Sequence, residues 1–134
     1  MIFSGLSQLV LYPVVNRGIP NAERIPIYVQ EPTNIGQFGV MAGPSEQDGF
    51  AKPFKDNLYW FSDGWVKSGD WIFLYTGSGA PKTEDIIGSK ESKIYTVHWG
   101  KTQTMFANST IVPIVFRIDA VQVGQKPGDL PQLF

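Results

Sequence analysis

The chain holds one histidine, His98, and no cysteine. Hydrolytic triads and zinc centres draw on several histidine, thiolate or carboxylate groups held together. A single histidine with no thiolate therefore argues against a zinc or copper site within one chain, and disulfides are excluded. No metal and no cofactor is expected. His98 lies beside Trp99 in an alternating stretch, where a lone histidine usually packs. Its best chemical role would be acid–base work with a carboxylate such as Asp70 or Asp119. Asp63 and Asp70 flank aromatic segments and come nearest to a glycosidase-type pair. Both sit in turn dipeptides, Asp63-Gly64 and Gly69-Asp70, which explains them without catalysis. The loop Gly77-Ser78-Gly79-Ala80-Pro81-Lys82-Thr83 has the outline of a phosphate loop. It places Pro81 where that motif needs glycine, and no amphipathic helix follows. No catalytic set emerges, so the chain is not expected to be an enzyme.

Aromatic residues are the stronger signal. Nine of the eighteen fall between Phe50 and Tyr75. One reading is a stacking platform for a sugar or nucleobase; the other is a β-core plus an interface, since aromatic residues favour strands and buried contacts alike. Tyr59, Trp60, Trp65, Trp71, His98 and Trp99 are the contact candidates. Arg17 joins them because it lies in a polar segment, residues 16–24, between two proline-bearing strands. That segment could present a loop to a partner, or it could be solvated, with Glu23 and Arg24 as surface ions. Nucleic acid is not expected: from Asp48 to Asp70 three lysines face four aspartates, which makes no electropositive groove.

The elements that would position these residues read as strands. Trp71 to Tyr75 is a continuous apolar run between Gly69-Asp70 and Gly77-Ser78-Gly79, as expected for a central strand buried on both faces. Arg24 to Gln30 and Ser92 to Trp99 alternate with period two. Gln8 to Val15 carries Pro13 and reads as an edge strand. Ile35 to Met41 alternates weakly, and Gly36 and Gly39 inside it suggest a bulge or a close backbone approach. Asn57 to Phe61 and Trp65-Val66 are short strands. Gly43 to Lys55 is a loop. Ala80 to Glu91 is a loop or one helical turn, and Gly100 to Gln103 reads as a hairpin turn into Thr104 to Ala107. Ile111 to Val123 is a long last strand with a bend near Pro113.

The count is about seven or eight short strands with no long helix, so the expected fold is a single all-β domain over 1–134, an antiparallel β-sandwich or closed β-barrel. Residues 1–8 are a candidate N-terminal arm and 124–134 an extended C-terminal tail. Met1 to Asn16 carries no charged side chain, and the first basic residue follows the apolar stretch rather than preceding it, so a signal peptide is not expected. No run approaches the ~20 apolar residues of a membrane span. These features point to a soluble chain and indicate no compartment. Charged residues are 17% of the chain, below the ~25% of ordinary domains, and a charge-poor surface can be covered without stranding ions. The expected function is a non-catalytic structural or interaction module that packs into a homo-oligomer or a larger assembly, of virion or surface type. The alternative is a small-ligand-binding β-barrel with an aromatic pocket for a sugar or nucleobase.

Overall fold

Period-two alternation builds the larger of two facing sheets. The structure, a computed structural model, describes residues 5–128. The ends of the expected arm and tail, 1–4 and 129–134, lie outside the described residues. Among the described residues ten strands form: β1 (Leu9–Leu11), β2 (Arg24–Val29), β3 (Thr33–Asn34), β4 (Phe38–Pro44), β5 (Leu58–Trp60), β6 (Trp65–Val66), β7 (Trp71–Tyr75), β8 (Lys82–Asp85), β9 (Lys93–His98) and β10 (Ile111–Arg117). They make a five-stranded sheet in the order β1-β2-β7-β9-β8, a three-stranded sheet β10-β4-β5 and a two-stranded ladder β3-β6.

The expected all-β sandwich is the observed class, and no sheet among the described residues closes into a barrel. Ile25, Ile27 and Val29 of β2 and Ile72 and Leu74 of β7 point inward, where they meet Phe38, Val40 and Ala42 of β4 in one core with Phe61, Val66 and Phe106. Alternation is thus the reason for the layering: each sheet turns one face to this core.

Several expectations need correction. The domain is not wholly antiparallel, because β7 and β9 pair in parallel, with Trp71 opposite Ile94 and Tyr75 opposite His98. The chain between them passes through β8, which pairs antiparallel with the far side of β9. Residues 82–85, read as loop or helical turn, therefore form an edge strand. Its sequence is Lys-Thr-Glu-Asp and every residue is exposed, a charged edge that resists further strand addition. Strand β7 is central, but only Ile72 and Leu74 are buried; Trp71, Phe73 and Tyr75 on its other face are half-buried. Residues 100–107 make a loop rather than a hairpin. The last strand stops at Arg117 because that residue pairs with Phe38, the first residue of β4. Just past it, the Ile118 amide donates to the Gln37 carbonyl at 2.7 Å.

Candidate functional site

The structure divides the candidate residues among three places. Arg17 turns inward. Its Nη1 donates to the carbonyls of Phe106 (3.2 Å), Asn108 (3.4 Å) and Ile111 (2.8 Å), and the guanidinium lies over the Phe106 ring, 5.8 Å from its centroid. These bonds make the Arg17 side chain a clamp on residues 106–111. Glu23, expected as a surface ion, is 1% exposed. Its Oε1 accepts from Thr76 Oγ1 (2.8 Å) and the Met105 amide (2.7 Å). Its Oε2 accepts from the amides of Gly18 (2.7 Å) and Phe106 (3.0 Å). Four donors satisfy a buried carboxylate, which is the condition for burying it at all.

Asp70 is likewise committed to the fold. Fully buried, it accepts the Lys67 amide at 2.8 Å and the Lys93 amide at 2.9 Å, closing the turn into β7 and tying it to β9. His98 stacks on Tyr75, ring centroids 5.3 Å apart and 27° between planes, and its Nδ1 is buried without a hydrogen-bond partner among the described residues. A Cβ added at Gly79 would collide with the imidazole, so that glycine lets the 77–80 loop lie on the ring. The carboxylates suggested for His98 are not delivered to it. Asp70 precedes Trp71, and His98 pairs with Tyr75 at the other end of the strand, ~16 Å away at 3.3 Å per residue. Asp119 is bound to Arg117 Nε at 2.7 Å.

Trp71 belongs to an aromatic outer face of the five-stranded sheet. Tyr12 packs on Trp71 at 4.9 Å, Tyr28 meets it edge-on at 5.2 Å, and Phe73 follows at 6.1 Å. Period two places Tyr75 and His98 further along this face. A depression of about 520 Å³ lies here, walled by residues 12–15, Pro26, Trp71, Phe73, Ile86 and Ile94, with no charged side chain in its lining. Arg24 stands at the margin, its guanidinium over Phe73 and Tyr75.

Tyr59 and Trp99 pack against the core from the smaller sheet and the 99–101 loop, ring centroids 6.0 Å apart. Burial raises the Tyr59 hydroxyl above the ordinary tyrosine value of 10.0. The same holds for Tyr95, where burial is the main cause and the Asp70 charge adds to it. Trp60, one residue on from Tyr59, points the other way. It and Trp65 are the exposed tryptophans, at 55% and 66%. The Trp60 indole Nε1 donates to the Gly36 carbonyl at 2.7 Å. Trp65 pairs with Asn34 across β3 and β6, and Asn34 Nδ2 donates to Asp63 Oδ1 at 2.6 Å. Asn34 and Gln37 escaped the sequence reading; the signal available was the Asn34-Ile35-Gly36 spacing, in which an asparagine side chain can cap the backbone two residues on.

No group of three or more potential metal-binding side chains converges among the described residues, and no described helix is long and apolar enough to cross a membrane. The fold and its sites define a sandwich-like all-β module with two separate aromatic surfaces. No protein-family model matches the chain, nor does any curated protein or solved structure.

Proposed function

We propose that the chain is a non-catalytic interaction module that assembles with copies of itself, as a homo-oligomer or as one part of a larger shell of virion or surface type. The observation that carries this reading is the outer face of the five-stranded sheet. Tyr12 is exposed there and Tyr28, Trp71, Phe73 and Tyr75 are half-buried, covered in part by one another, Arg24, His98, the 12–15 segment, Ile86 and Ile94. Contiguous apolar patches of several hundred Å² mark interaction sites on soluble domains. The occupant that suits this one is a second copy. The lining of the depression is uncharged, so two copies brought together by a two-fold axis set no like charges against each other at its centre. Commitment of Arg17, Glu23 and Asp70 to internal hydrogen bonds agrees with a scaffold role.

Size-exclusion chromatography with light scattering, run across protein concentrations, tests the proposal. The expected result is a defined oligomer for the native chain and a monomer for Phe73→Asp, whose circular dichroism spectrum is unchanged. A native chain that stays monomeric at every concentration overturns it.

A further inference from the structure

The surface around Trp60 lies in the opposite layer from the aromatic sheet face and owes nothing to it. We infer that it is a carbohydrate-binding subsite, and that its ligand is a neutral glycan stacked by one pyranose ring on Trp60. The inference stands on how the site is built and goes beyond the assembly reading.

The Trp60 ring is held in place, because its only donor is spent on the Gly36 carbonyl. The residue is 55% exposed, and an exposed indole offers a π system whose negative quadrupole attracts the weakly positive C–H face of a sugar ring. Beside it lies a polar frame that is itself fixed. Asn34 Oδ1 accepts the Gly36 amide at 2.8 Å and the Gly64 amide at 3.2 Å, while its Nδ2 holds Asp63. A depression of about 380 Å³ joins Trp60 to this frame, lined by Asn34, Gly36, Gln37, Phe61 and Asp63. Asp63 forms no ion pair among the described residues, and its Oδ2 accepts no hydrogen bond from them. The Gln37 amide reaches only the Ile118 carbonyl, at 3.5 Å, a contact weak enough to give up. An oriented aromatic plane is therefore flanked by a free carboxylate oxygen and a releasable amide, the groups that receive and donate hydrogen bonds to neighbouring hydroxyls.

The charge selects among ligands. No lysine or arginine lines the depression, so a phosphate or carboxylate would meet Asp63 with no compensating cation. That disfavours nucleotides and acidic sugars, while the hydroxyls of a neutral polyol can donate to the free Asp63 oxygen and accept from the Gln37 amide. A second depression of about 200 Å³, holding Trp65, shares Phe61 and Asp63 with the first. A glycan of two or more residues would thus reach a second indole next to the same carboxylate.

The test is a titration of the full chain, followed by tryptophan fluorescence and saturation-transfer NMR. The probes are the methyl glycosides of glucose, galactose, mannose and N-acetylglucosamine, their linear oligosaccharides, and adenosine and uridine. The expected result is binding of at least one neutral sugar, tighter for the oligosaccharide. Trp60→Ala weakens it by tenfold or more, Trp60→Phe retains most of it, and Asp63→Asn weakens it about tenfold, one hydrogen bond's worth. Asp63 is exposed, so Asp63→Asn carries the test if Trp60→Ala fails to fold. Phe73→Asp, on the opposite layer, leaves sugar binding intact even where it abolishes association, which separates this proposal from the assembly reading. Silence from every sugar, unchanged binding in Trp60→Ala and Asp63→Asn, or binding of the nucleosides alone overturns it.

Discussion

Glu23 and Arg17 show how two side chains can fix a loop that its own sequence does not. Residues 100–110 lack a ladder partner, yet Phe106 at their centre is fully buried. The Glu23 carboxylate receives the Met105 and Phe106 amides, and Arg17 binds the Phe106, Asn108 and Ile111 carbonyls. Glu23→Gln turns an all-acceptor group into one whose amide faces backbone donors. It should cost about 2–4 kcal/mol, since each unsatisfied buried partner costs about 1–3. Urea unfolding should show a lower midpoint at an unchanged slope; a midpoint matching the native chain would remove Glu23 from this role. Arg17→Ala should raise amide exchange at 105–111 before it affects β2 or β7, because it releases the loop's carbonyls without touching either ladder. Tyrosine supplies the pH dependence. Burial raises Tyr59 and Tyr95 above 10.0, so the folded state holds those protons longer than the unfolded chain. The associated stability is complete below pH 10 and is lost as pH climbs through the folded-state values. Phenolate absorbance should therefore rise in more than one step above pH 10, and Tyr59→Phe should remove part of the late step. A single step at the ordinary tyrosine value would contradict this.

At the scale of elements, close approach governs β4. A Cβ built at Gly43 would lie inside the Lys52 carbonyl group, which is backbone and cannot rotate away. The 52–54 segment is laid against the strand there, with the Phe54 amide on the Ala42 carbonyl at 2.8 Å. Gly43→Ala should lower stability by about 1–3 kcal/mol, the usual cost of overpacking, read as a drop in the thermal midpoint. An unaltered midpoint would mean that this segment is not held as described. The sequence exposed those elements whose pattern is local. β2, β7 and β9 are apolar or strictly alternating runs and stand where periodicity puts them. β8 was illegible because Lys-Thr-Glu-Asp has no apolar residue to mark a face; it is a strand only because β9 offers it an edge. The parallel β7–β9 pairing and the end of β10 depend on which strand lies alongside, and that is a non-local fact. The candidate site was half legible for the same reason. Trp60 and Trp65 stood out by residue type, whereas the Asn34–Asp63 contact spans 29 residues and became visible only once β3 and β6 paired.

The whole molecule combines near-neutral charge, a charged β8 edge and an aromatic depression with an uncharged lining. Lysine and arginine number 11 against 12 acidic residues, and the ion pairs Lys82–Glu84, Lys93–Asp85 and Arg117–Asp119 lie on the surface, where such pairs contribute little. Association through the outer face would therefore rest on apolar burial rather than on charge, and the two respond oppositely to salt. Raising ionic strength from ~0.1 to ~1 M shortens the screening length from ~10 to ~3 Å and removes most attraction between exposed charges. Excluded salts such as sulfate strengthen apolar burial instead. Sedimentation velocity at both ionic strengths should show the oligomer unchanged in sodium chloride and reinforced in sodium sulfate, with Phe73→Asp monomeric in both. Arg24 lies over the Phe73 and Tyr75 rings, and Lys82, opposite Thr96 on the same face, is paired with Glu84; Arg24→Gln should leave this salt response as it is. Dissociation of the native oligomer in sodium chloride would place the contact on charged surface elsewhere and would remove the aromatic face from the interface.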